Sequence, residues 1–172
     1  MTTPTYERAL VRLLEREGTG IADDKRDRGG RTKWGVTQKT YDAWRTTTGQ
    51  HPRPVDDMTE VEMRTIYFED YWRPCACELM PEPIADCVFD MAVHSGVWNA
   101  CITLQDALRV RQDGKVGPIT LAAARPPGVV VRFLKKRGDF IQQDIQAHPS
   151  DVVFLENWIG RLLDLAALWG RA

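Results

Sequence analysis

Apolar residues recur at helical spacing along nearly the whole chain. Tyr6, Leu10, Leu13 and Leu14 make one stripe, while Arg8, Arg12, Glu15 and Arg16 take the other side, predicting an amphipathic first helix. Thr3 suits its N-cap and Pro4 its first turn. Thr37 can cap a second helix through about Thr47. Thr59-Glu60-Val61-Glu62 has the capping-box pattern for a third, with Met63, Ile66 and Tyr67 inward and a stop near Pro74. Ile84, Val88, Met91 and Ala92 mark a fourth, and Val97, Cys101, Leu104 and Leu108 a fifth after the Ser95-Gly96 break. The stretch RQDGKVGPITLAAARPPG reads as a turn, a short helix opened by Pro118 and a stop at Pro126-Pro127. Two longer helices follow, from Val129 to about Ala147 and from Asp151 to Trp169.

No run alternates as a strand should, although the loop at 18–36 has room for a small β-hairpin. The pattern predicts a mainly α fold in one domain. Phe154, Leu155, Trp158, Ile159, Leu162, Leu165 and Trp169 form a wide apolar face on the last helix. Without a cationic excess opposite it, that face reads as core rather than membrane-active.

Composition changes this picture little. The chain has 172 residues, 43% hydrophobic and 27% charged, with a net charge of −1. That size allows one domain with a full core. The charge balance offers no attraction to nucleic acid or an anionic membrane. Charges interrupt the N-terminal stretch, so neither a signal peptide nor a transmembrane segment is expected. Synthesis and first accumulation in a cytoplasm follow as an expectation. Cys75, Cys77, Cys87 and Cys101 match no common zinc spacing and read as buried thiols on helices.

Candidate chemistry concentrates at the end of the first helix. Glu17 lies four residues after Leu13 and three after Leu14, on the buried face and in the last turn. Burial and the negative end of the helix dipole both disfavour its ionised form, as a general acid requires. An ion pair with a loop arginine is the plainer alternative. Asp27 supplies a second carboxylate, Gly29-Gly30 permits a turn or close approach, and Thr32 offers a hydroxyl that can orient water. An acid, a carboxylate and a water-positioning group suit glycosidic-bond cleavage. Asp23, Asp24 and Asp27 do not fit a calcium loop, because Trp34 would stand where a bidentate glutamate belongs. The serines and histidines fall in no hydrolase or zincin motif.

These residues resemble a known family. Glu17-Gly18 with Asp27-x-Gly29-Gly30-x-Thr32-x-x-Gly35-Val36-Thr37 is similar to the E-G-G…D-x-G-G-x-T-x-x-G-I-T signature of glycoside hydrolase family 108. Tyr71-Trp72-Arg73-Pro74 resembles its Y-W-x-P, and residues Phe89 to Gly96 its F-D-x-A-V-N-x-G. Leu104-Gln105 with Asp113 to Thr120, and the stretch FLENWIGRL, resemble its peptidoglycan-binding half and closing motif.

The resemblance implies a lysozyme-like helical fold and an N-acetylmuramidase of the kind found among phage endolysins and prophage or gene-transfer-agent lysis proteins. It implies a single muramidase domain over 1–172, with a catalytic-motif half at 1–96 and a helical peptidoglycan-binding-like half at 97–172. Glu17 becomes the catalytic acid. Asp27 (or Asp24) becomes the stabiliser or base, and Thr32 the group that holds water. Gly30, Trp34, Asp90, His94 and Gln105 are candidate glycan contacts. Trp34 and Trp98 could equally be core, and Asp90, Gln105 and Asp113 equally helix and turn hydrogen-bonders. His94 stands where the family has Asn, Thr19 where a second glycine is typical, and Asn157 where the closing motif has glycine. The expected partner is bacterial peptidoglycan, with no cofactor or metal. A monomer would be held in the host cytoplasm until a holin releases it to the periplasm and wall. A lytic transglycosylase, a non-catalytic peptidoglycan-binding module and a regulatory or secretion-associated protein are the rival readings.

Overall fold

A computed structural model describes residues 3–17, 20–23 and 30–171, and places them in two compact units, Met1–Asp70 and Tyr71–Ala172. The first unit opens with α1 (Pro4–Glu17), where the Thr3 hydroxyl accepts from the Tyr6 amide at 3.3 Å. Its apolar stripe is buried as the spacing predicts: Tyr6, Leu10 and Leu13 are at most 1% exposed. Burial of each such side chain stabilises by about 1.5–3 kcal/mol.

Three short strands follow, β1 (Ile21–Asp23), β2 (Arg31–Lys33) and β3 (Val36–Thr37), paired antiparallel in that order. The pattern allowed a hairpin; the structure adds a third strand. Strands this short carry too little alternation to read in sequence. Thr37 then caps α2 (Gln38–Thr47) by accepting from the Thr40 amide at 3.1 Å. The capping box forms in full at the start of α3 (Glu60–Tyr67), which continues into a wider helical turn, Phe68–Trp72.

Among its described residues the second unit's regular elements are all helical, with α4 (Glu82–Ser95), α5 (Val97–Leu108), α6 (Pro118–Ala123), α7 (Val129–Ala147) and α8 (Leu155–Trp169) as its α-helices. Helix α4 is the centre, with Ile84 through Ala92 all buried. Helices α5 and α7 pack on it and on each other, and α8 packs on α7. The boundary between units falls at 70/71, and the Gly96 break lies inside the second unit, between α4 and α5.

The last helix differs from expectation in two ways. A tight 3-10 segment, Pro149–Phe154, replaces its first turn, as Pro149 and the absence of a side-chain cap favour. Its wide apolar face is also only half used. Leu165 is buried and Phe154, Leu155, Trp158, Leu162 and Trp169 are half-buried, but Ile159 is 37% exposed; Leu163 and Leu168, at 59% and 47%, lie outside that face. One stripe meets the rest of the unit, and the remaining apolar positions lie beyond it. Among the described residues, no helix is long and apolar enough to cross a membrane.

Candidate functional site

Helix α1 ends at Glu17, and the first strand of the small sheet begins at Ile21. Asp24 and Asp27 lie outside the described residues, as do Gly18, Thr19 and the side chain of Glu17. The rest of the candidate site is fixed by β2 and its turn. Register pairs Thr32 with Ala22 on one side and with Thr37 on the other.

Alternation along β2 puts Arg31 and Lys33 on one face and Thr32 on the opposite one. The first face is anchored to the turn Val55–Asp57. The Arg31 guanidinium grips Asp56 through two bonds of 2.7 and 2.5 Å, and Lys33 Nζ donates to the carbonyls of Asp56 and Met58 at 2.6 and 2.8 Å. Arg31 holds the Asp56 carboxyl below its usual range. Thr32 is left partly exposed on the other face.

Gly30 enters β2 with φ +65° and is exposed, a conformation that glycine adopts without strain. Trp34 is the unusual residue of the turn, because a bulky side chain rarely takes φ +51°. Three contacts pin it. The Tyr67 hydroxyl donates to its carbonyl at 2.7 Å, its amide donates to the Gly20 carbonyl at 3.4 Å, and Lys33 Nζ stands 4.5 Å from the ring centroid. Such strain persists only where surrounding structure enforces it, and it gathers at binding sites.

The other candidates belong to the second unit. Asp90 on α4 is 1% exposed and receives Arg137 Nη1 at 2.7 Å and Arg161 Nη2 at 2.8 Å. Gln105 on α5, also 1% exposed, organises the turn at 113–115. Its Oε1 accepts from the amides of Asp113 and Gly114, and its Nε2 donates to Asp113 and to the Lys115 carbonyl. Both side chains are therefore engaged inside the fold. Asp90 thus joins α4 to two arginines and Gln105 holds the turn, and Gln105 also lines a cavity with Asp113, Lys115 and Thr120. Trp98 is 60% exposed and lies against Gly114, where an added Cβ would fall 2.3 Å from the ring.

His94, by contrast, lines a cavity of about 260 Å³ with Ser95, Asn99, Asp144 and Trp158. Burial pushes its pKa down to about 4, assisted by the charges of Arg161 and Arg137 and opposed by Asp90. The imidazole is thus neutral at ordinary pH, able to donate from one nitrogen and accept at the other. Sequence spacing missed Asn99, Asp144 and Trp158 as neighbours of His94. They lie on α5, α7 and α8, and only helix packing brings them together.

The four cysteines are buried and none of them is in a disulfide. Cys87 and Cys101 lie on α4 and α5 as expected, whereas Cys75 precedes and Cys77 opens a short 3-10 turn. Among the described residues, Asp144, His148 and Asp151 bring possible metal-ligand atoms within 4.8 Å of one another. The contact between Asp144 and His148 there is an ordinary helical i, i+4 pair.

Comparison with known proteins bears on the chain at two levels. A family described as Glycosyl hydrolase 108 matches residues 10–96, a span that includes the second part of α1, the small sheet and the whole of α4. The solved structure of SagA from Brucella abortus is similar with a TM-score of 0.81 and 28% identity, over 98% of this chain and 97% of SagA. No curated protein matches the sequence.

Proposed function

The chain belongs to the glycosyl hydrolase 108 family, and from that premise we propose that this glycoside hydrolase of peptidoglycan is an N-acetylmuramidase. It cuts the β-1,4 bond between N-acetylmuramic acid and N-acetylglucosamine. The observation that carries the reading is the order of elements in the first unit. A helix delivers Glu17 as its last residue, directly ahead of a sheet whose middle strand bears Thr32 on its unanchored face.

In this reading Glu17 protonates the departing glycosidic oxygen, since a carboxyl at a helix C-terminus favours its neutral form. Asp27 stabilises the oxocarbenium-like transition state or activates water, and Thr32 holds that water. Gly30 leaves room beside the strand, and the strained, pinned Trp34 offers its ring to a sugar. Release through a holin, as an endolysin, would bring the protein from the host cytoplasm to the wall as a monomer. Digestion of purified Gram-negative peptidoglycan, with products resolved by mass spectrometry, tests the proposal. Reducing N-acetylmuramic ends are expected. Anhydro ends would make the enzyme a lytic transglycosylase, and sacculi bound without cleavage would make it a binding module.

A further inference from the structure

We propose that Cys75 and Cys101 are a disulfide-forming pair, closed by exchange with a disulfide oxidant, and that the bond staples the start of the second unit to α5. The inference rests on the core of that unit and is independent of the peptidoglycan reading above.

The two sulfurs stand 3.8 Å apart, although the residues are 26 positions apart in sequence. Both side chains are 0% exposed, and at that separation the sulfurs are in contact. Packing around α4 brings them together. Helix α5, which carries Cys101, lies against α4, and so does the 3-10 turn Cys77–Leu79 that follows Cys75. Cys77 is a third thiol of the same cluster, close enough to act on Cys75.

The turn that presents Cys75 is strained. Ala76, between Cys75 and Cys77, takes φ +51°, where an L side chain is seldom found. Arg73, Pro74, Glu78 and Leu79 around it are exposed. Opening this short surface turn gives an oxidant access to Cys75 without unpacking α5. With the turn closed, the thiols are held protonated. Contact with Cys75 and burial keep Cys101 above the usual thiol range. The bond with Cys101 pulls Cys75 down, but Cys77 and burial push it up further and leave it raised. Thiolate, the species that attacks a disulfide, is therefore scarce until the turn opens.

The exchange has two stages. The Cys75 thiolate attacks the oxidant's S–S bond, which puts Cys75 in a mixed disulfide and expels one thiolate. Cys101, giving up its proton, then attacks the Cys75 sulfur and expels the second. Two protein S–H bonds are lost, one S–S bond forms, and the oxidant leaves as two thiols carrying both protons. The closed loop contains the whole of α4, so the bond restricts the unfolded chain far more than the folded one.

Refolding the reduced full chain from urea in oxidised and reduced glutathione is the test, with remaining thiols alkylated and cross-linked peptides mapped by mass spectrometry. The expected product has lost two hydrogens and joins the Cys75 segment to the Cys101 segment. Its thermal midpoint should lie about 5–15 °C above that of the reduced protein, and dithiothreitol should reverse the rise. Cys101→Ala should abolish both the cross-link and the rise, whereas Cys77→Ala and Cys87→Ala should keep them. Should Cys101→Ala fail to fold, the wild-type peptide map and Cys77→Ala decide the pairing. Thiols that all remain alkylatable, a bond from Cys75 to Cys77 or Cys87, a stable glutathione adduct, or an oxidised protein that melts no higher than the reduced one would each overturn it.

Discussion

Asn at position 90 would remove a buried carboxylate that two buried guanidinium groups share. Asp90 is 1% exposed, and its partners Arg137 and Arg161 are 1% and 5% exposed, so solvent cannot take over for the missing carboxylate. Removing one member of a buried ion cluster in this way costs about 3–5 kcal/mol. For a chain of this size each kcal/mol moves the midpoint by about 2–4 °C. Asp90→Asn should therefore lower the thermal midpoint of the helical signal by about 6–20 °C. The arginines are not equivalent to the aspartate in this respect. Arg137→Met keeps the contact of Arg161 with Asp90 at 2.8 Å. It also removes two buried nitrogens, Nε and Nη2, that make no hydrogen bond. Its cost should stay within about 1.5 kcal/mol of wild type, since a well-packed apolar replacement of a buried ion is often close to neutral. Thermal and urea unfolding followed by far-ultraviolet circular dichroism will measure both. Equal losses in the two variants, or a loss below about 1 kcal/mol for Asp90→Asn, would refute the view that the buried carboxylate stabilises the cluster.

Three further outcomes are expected. Gln105→Leu strips the amides of Asp113 and Gly114 of their acceptor, so hydrogen exchange at those two positions should accelerate well before global unfolding, at a cost of about 1–3 kcal/mol; unchanged exchange would contradict it. Thr59→Ala removes the hydroxyl half of the capping box and should cost about 1 kcal/mol by urea titration, whereas no change would mean the cap is idle. His94 takes up its proton near pH 4 when folded and near 6.5 when unfolded. The unfolded chain thus binds more protons between those values, and stability present above pH 6.5 is lost as pH falls toward 4. His94→Asn should flatten that slope between pH 7 and 5, and an identical slope would count against a buried neutral imidazole.

The helical pattern was largely legible because each helix buries one face and leaves the other wet. Thr37 and Thr59 announced their helices through local hydrogen bonds that need no tertiary partner. What stayed hidden depends on packing between segments distant in sequence. The exposed half of α8 could not be read, since apolar spacing says which residues could be buried but not whether a neighbour is there to bury them. Asp90 and Gln105 carried the right residue types for glycan contact, yet their partners, Arg137, Arg161 and the 113–115 turn, come from other elements. Thr32 was legible as a hydroxyl beside the glycines, but its face of β2 was not, because that depends on Arg31 and Lys33 finding the Val55–Asp57 turn.

Comparison of wild type with Glu17→Gln on purified peptidoglycan tests the central claim most directly, with both proteins first shown to unfold alike. Glutamine keeps the shape of the side chain and removes the proton that the departing oxygen needs. Wild type should release reducing muropeptides, and the variant should fall by about 10²-fold or more, the usual contribution of a positioned general acid. Undiminished release by Glu17→Gln would contradict the assignment of the acid and of the site built around it.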